Sequence, residues 1–194
     1  YVGGAFGAIN GAARRNLAAL RVGPNDIVLP WAPVTELTGF VTCLDEDAGL
    51  VYAGGNFNTV NGLGRPNAAS VDRNTGVATS WYPDPNQQVN AIDARGPVVY
   101  IGGYFWNVDG QTPRAGIAAV QSNTGWALPW NAQLYPGPGP FIPSVHDIIA
   151  TDEAIYACGG FLAAGADLRH NIVALDPATA QALPWAPEPD YGVE

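Results

Sequence analysis

Few side chains in this sequence have the types and spacing that chemistry needs. His146 and His170 are the only histidines. Ser144 stands two residues before His146, so on a strand the two share a face. No Gly-x-Ser-x-Gly elbow and no acid at a diagnostic spacing completes a hydrolytic triad. Cys43 and Cys158 form no C-x-x-C pair and have no clustered histidine, so no metal site and no cofactor is expected. Two readings stay open for these thiols: burial as small hydrophobes, or a disulfide. Asp45-Glu46-Asp47 and Asp152-Glu153 read as solvated hairpin tips, and Asp109 as turn chemistry. The remaining chemistry is that of flat rings, which stack on the apolar faces of sugars or anchor protein contacts. The candidate ligand-binding residues are Tyr104, Trp106, Trp126, Tyr135, Phe141 and His146. Prolines 136, 138, 140 and 143 stiffen the loop carrying two of them, so it loses little entropy on binding.

These residues stand out because the rest of the chain repeats. Tyr1-Val-Gly-Gly-Ala-Phe6 returns as Tyr52-Ala-Gly-Gly-Asn-Phe57, Tyr100-Ile-Gly-Gly-Tyr-Phe105 and Tyr156-Ala-Cys-Gly-Gly-Phe161, at tyrosine spacings of 51, 48 and 56 residues. Arg14, Arg65, Arg114 and Arg169 follow each Phe by eight or nine positions, and each copy closes on a tryptophan: Trp31, Trp81, Trp130 or Trp185. A period near fifty means stacked copies of one supersecondary unit. Within one copy, short runs near Val41, Leu50–Phe57, Asn67–Asp72 and Val77–Tyr82 alternate like strands and are separated by Gly, Asn, Asp and Pro turns. The reading is all-β, four strands per copy, a size that suits a propeller blade. The tryptophans and arginines, one per copy, are assigned to the scaffold, and the paired glycines to close approach of neighbouring sheets.

The set Y-x-G-G-x-F, Asn-Gly, Arg, A-A-L-D, T-G and W-x-P resembles the delta-sixty type repeat of bacterial secreted and surface proteins, and is distantly similar to kelch repeats. The resemblance covers essentially all 194 residues. It implies a β-propeller of antiparallel blades, commonly an extracellular or cell-surface module, and no single activity. Departures from the pattern are Cys158 for glycine, Ala132 for proline after Trp-x, and Ala164-Gly165 for Asn-Gly.

Residues 1–194 are expected to form a single propeller segment, with repeats of about 1–38, 39–87, 88–142 and 143–194. The phase of the repeats and the absence of methionine suggest blades of a larger propeller. A net charge of −9, with arginine as the only basic side chain type besides histidine, lacks the footprint of a nucleic-acid binder. No apolar run is long enough to span a membrane. The expected function is a non-catalytic extracellular recognition or structural module that binds glycan or protein partners or assembles with further blades or copies. The alternative is a propeller enzyme (a lyase, lactonase or quinone-dependent dehydrogenase) with its centre at the axis.

Overall fold

The computed structural model describes residues 1–23, 26–36, 38–187 and 189. Among them every regular element is a strand, and every strand pairing is antiparallel. No helix there is long and apolar enough to cross a membrane.

The second repeat shows how the sequence makes its unit. Phe40–Asp47 and Leu50–Asn56 pair around Ala48-Gly49, whose φ values of 49° and 83° close a two-residue hairpin. Ala68–Asp72 then adds to the far side of Leu50–Asn56, giving the order third, second, first strand. Unit 3 repeats this with Val89–Arg95, Val98–Gly103 and Ile117–Gln121, and unit 4 with Ser144–Ala150, Ile155–Gly160 and Ile172–Leu175. Unit 1 contributes Val2–Gly3 paired with Leu17–Ala18, then Leu20–Arg21 paired with Ile27–Val28. A small hairpin follows the conserved-position Phe of each repeat, as at Thr59–Val60 with Leu63–Gly64.

The expected fourth strand is shorter than its sequence suggested. In units 2, 3 and 4 it is a single bridge, Val71 to Ala78, Val120 to Ala127 and Leu175 to Ala182. One more ladder bond follows, such as Leu128 N–H to the Ala119 carbonyl at 2.9 Å, and then the chain leaves the sheet. Pro129 and Pro184, which come next, have no N–H to continue the ladder, and Trp130, after the first of them, turns toward unit 4.

The hydrophobic core lies between units rather than inside them. Leu17, Ala19 and Trp31 of unit 1 cluster with Val41, Val51 and Phe57 of unit 2. Tyr52 and Trp81 pack with Ile101 and Phe105, and Tyr100 and Trp130 with Ile148 and Phe161. Small residues make this approach possible: a Cβ on Gly54 would lie 2.6 Å from Val89 Cγ1, and one on Gly102 2.5 Å from Val145 Cγ1. Three indoles cross these seams. Trp31 Nε1–H donates to the Asp72 carbonyl at 3.1 Å, Trp81 to Gln121 at 3.0 Å, and Trp130 to Asp176 at 3.1 Å. Each of these rings also packs on the tyrosine of its own repeat, with centroids 4.9 to 5.3 Å apart.

Candidate binding surface around units 3 and 4

The four arginines make the same two bonds in every unit. Nη1 of Arg14, Arg65, Arg114 and Arg169 donates to the preceding carbonyl at 2.7 Å. Nη2 reaches across to the carbonyls of Leu29, Thr79, Leu128 and Leu183 at 2.6 to 2.9 Å. Each guanidinium thus braces a small hairpin to the last segment of its own unit. Its two terminal nitrogens are spent on backbone, and its buried Nε has no hydrogen-bond partner among the described residues.

A bulge interrupts the first strand of units 2, 3 and 4, and in units 2 and 3 it aims one side chain at the next unit. The pairing register slips between Val41 and Cys43, Val89 and Ala91, and Val145 and Asp147, which leaves Thr42, Asn90 and His146 outside the ladder. Thr42 Oγ1 donates to the Val89 carbonyl at 2.6 Å, and Asn90 Nδ2 to the Val145 carbonyl at 3.0 Å. Carboxylates further along the same strands complete the seam. Asp45 accepts from Ala94 N–H at 2.6 Å, Asp47 from Gly96 N–H at 2.9 Å, and Asp93 from Ala150 N–H at 2.7 Å. The Asp45 to Asp47 run is therefore no free hairpin tip, because two of its acids hold the backbone of unit 3; Asp152 likewise pairs with Arg95 at 2.7 Å. Burial raises the Asp93 carboxyl above its ordinary value. Cys43, packed in this seam, has its thiol pushed up to about 12, with burial the largest cause. Both cysteines are free thiols.

His146 occupies the bulge position of unit 4 and faces an aromatic ring. Its imidazole lies 6.2 Å from the Tyr104 ring at a tilt of 54°, and its Nε2 is 3.3 Å from Ser144 Oγ. Ser144 Oγ also accepts from Gly160 N–H at 3.2 Å. No carboxylate bonds to His146 among the described residues, so the Ser-His pair lacks the third member of a triad. Trp106 sits two residues past Tyr104, its N–H held by Asn86 Oδ1 at 3.1 Å. Tyr135 pairs with Ala163, and its carbonyl accepts from Leu162 N–H at 2.7 Å. Phe141 folds back over Gly139 in the same connecting loop, whose Gly137 approaches Leu162. All five of these aromatics other than His146 are exposed, counting Trp126. The structure thus brings Tyr104 and His146 together, and ties Tyr135 through its loop to the Leu162 turn. Trp126 stands apart, beyond the Ser122–Gly125 turn at the end of the third strand of unit 3. No group of three or more His, Cys, Asp or Glu side chains among the described residues is placed to hold a metal ion.

No protein-family model matches this chain, and no curated protein matches it.

Two contributors to the surface escaped the sequence reading. Glu36 and Asn86 occupy equivalent places, five residues after Trp31 and Trp81, and both cap the turn that follows Phe in the next unit. Glu36 accepts from the N–H of Asn58 and, at 2.9 Å, of Thr59; Asn86 accepts from Trp106 and Asn107, each at 3.1 Å. Burial would raise the Glu36 carboxyl, but the bonds from Thr59 and Asn58 outweigh it and hold the group below its usual range. Tyr135 takes this place after Trp130 and caps with its backbone alone, so its ring is left outside. The equivalence is readable in the tryptophan spacing, although Glu, Asn and Tyr share no propensity that would announce it.

Proposed function

We propose that this chain is a set of β-propeller blades of the delta-sixty, kelch-like type, working as a non-catalytic recognition module of a bacterial secreted or surface protein. The observation that carries the recognition reading is the placement of the aromatics. The repeated rings Trp31, Trp81 and Trp130 are buried in the seams, whereas Tyr104, Trp106, Tyr135 and Phe141, which belong to no repeat, are exposed around units 3 and 4. A scaffold needs the first set and has no use for the second. Exposed rings beside a half-buried imidazole and a proline-stiffened loop suit a glycan or a protein surface.

The test is a glycan and surface-protein binding screen, repeated on a Tyr104→Ala, Trp106→Ala variant. Retained ligands are expected to lose about tenfold or more in affinity, in line with loss of anchoring rings, with unchanged melting. A variant that binds everything the native chain binds would sink the reading.

A second reading is assembly with further blades or copies, favoured by Trp185. Its ring pairs with Tyr156 at 5.4 Å like the other three, but it is 45% exposed where Trp81 is 1%, and its N–H meets no carbonyl among the described residues. Light scattering and intact mass of the natural protein decide between the two. A lone 20.2 kDa species removes the assembly reading.

A further inference from the structure

The repeat places a carboxamide at one spot in units 1 and 2 that unit 4 leaves vacant. Asn10 Nδ2 donates to the Asp26 carbonyl at 3.1 Å, and Asn61 Nδ2 donates to the Gly76 carbonyl at 2.9 Å. Asn61 Oδ1 in addition accepts from Val34 N–H at 2.9 Å, so one amide stitches a hairpin tip, a later turn and the incoming linker. In unit 4 the matching residue is Gly165. The register identifies it: Asn61 N–H bonds to Val34 O, and Gly165 N–H bonds to Gln133 O, each three residues past the preceding tryptophan. The pair aligned with Asn61-Gly62 is therefore Gly165-Ala166, one residue later than the Ala164-Gly165 match that sequence alone suggested. The turn type changes with it, since φ is positive at both 61 and 62 but only at 165 in the second pair.

No described residue fills the space. A surface cavity of about 470 Å³ opens there, within the range of ligand pockets. Its apolar wall is Ala132, Ala164, Ala166, Ala180 and Ala182. Its polar lining includes Asn131, Gln133, Thr179 and Gln181, with Asp167 the one charged group. The acceptor half of the missing amide is already compensated, because Gln133 N–H bonds to Asn131 Oδ1 at 3.1 Å as Val34 N–H does to Asn61 Oδ1. The donor half is not replaced. Ala180, at the position of Asp26 and Gly76, has a carbonyl that receives no hydrogen bond among the described residues.

We infer that this groove binds an acetamido group of an N-acetylated amino sugar. The group has an amide N–H for the Ala180 carbonyl, as Asn61 Nδ2 has for Gly76. Its methyl suits an alanine wall, and the sugar hydroxyls suit the uncharged amides of Asn131, Gln133 and Gln181. The inference rests on the recognition reading only in treating the chain as a binder, and it uses none of the aromatics named there.

The experiment is a backbone-amide NMR titration of the intact chain with di-N-acetylchitobiose, with cellobiose and N-acetyl-lysine as parallel arms. Saturable shifts are expected at 131–133, 164–167 and 179–182 with the acetylated sugar alone. A Gly165→Asn, Ala166→Gly variant, which restores the pair found at 61–62, is expected to weaken binding about tenfold or more. A Gln133→Ala variant gives a second reading that leaves the turn untouched, with weaker binding again expected. No shifts with chitobiose, equal shifts with cellobiose, or equal shifts with N-acetyl-lysine would overturn the inference. Shifts confined to Tyr104 and Trp106 would also overturn it while leaving the aromatic reading standing. Groove shifts with a silent aromatic surface would do the reverse.

Discussion

The seam between units 2 and 3 and the seam between units 3 and 4 share their inner parts and differ in their outer ones. Both have a buried tryptophan donating to a carbonyl at the end of the third strand or just past it, a bulged side chain donating to a valine carbonyl, and an aspartate accepting a first-strand N–H. Toward the linkers they part. Asn86 caps the turn at 106–107 in the first seam, but Tyr135 stands in its place in the second, Gly165 replaces Asp109, and a proline-rich loop intervenes. The strands and the buried tryptophans join the sheets, so the rest of each linker and the hairpin tips are free to change. That division explains why the candidate surfaces gather at one seam while the cores of all three stay alike.

The comparison breaks most visibly at the tryptophans. Trp81→Ala is expected to cost about 3–5 kcal/mol in denaturant unfolding, because a fully buried ring and its bond to Gln121 are lost together. Trp185→Ala, at an exposed ring, should stay within about 1 kcal/mol of the parent. Equal losses would mean that the fourth tryptophan is seated like the others in solution.

Next come the arginine braces, which are the same whatever the seam. Arg114→Ala and Arg169→Ala should each lose about 1.5–3 kcal/mol through charge-assisted bonds to half-buried carbonyls, and should match each other. Unequal values would show that the departures in unit 4 reach into the brace.

Ala180 offers a smaller effect of opposite sign. It holds φ of 63° where Gly76 and Gly125 hold 72° and 85°, so Ala180→Gly is expected to stabilise by about 1 kcal/mol. No gain in thermal unfolding would mean the local backbone relaxes freely around the alanine.

The least effect is a pH dependence confined to the seam of units 1 and 2. The Glu36 carboxyl is held below its ordinary value, so its contribution is fully present above the unfolded glutamate pKa, about 4.3, and is lost as pH falls through the folded value. Glu36→Gln should remove that part of the acid-side decline in stability. An unchanged pH profile would assign the decline to other acids.

Much of this was legible in the sequence, and particular residues show where legibility ended. The tyrosine-glycine period and the tryptophan that recurs at one place in every repeat announce stacked antiparallel sheets because packing demands the same residue at every seam. The last strand of each unit read too long, since Leu128-Pro129-Trp130 looks extended while the proline is already ending the ladder. The acids at 45–47 read as solvated because their partners are backbone N–H groups of another unit, which leave no mark in a sequence. Gly165 was misaligned by one residue because a turn with glycine first and one with glycine second differ only in register. The exposed aromatics were visible as breaks in the pattern, but the pairing of Tyr104 with His146 required the bulge to bring them together.

Because each cluster of apolar side chains is shared by two consecutive units, no unit owns a complete interior. Stability then accrues along a line, one nearest-neighbour term at a time, and unfolding starts where a unit has one neighbour instead of two. The same arithmetic governs growth. A duplicated unit arrives with one matching half-interior on each side, so a gene encoding such a protein can lengthen or shorten by whole repeats without any seam being reinvented.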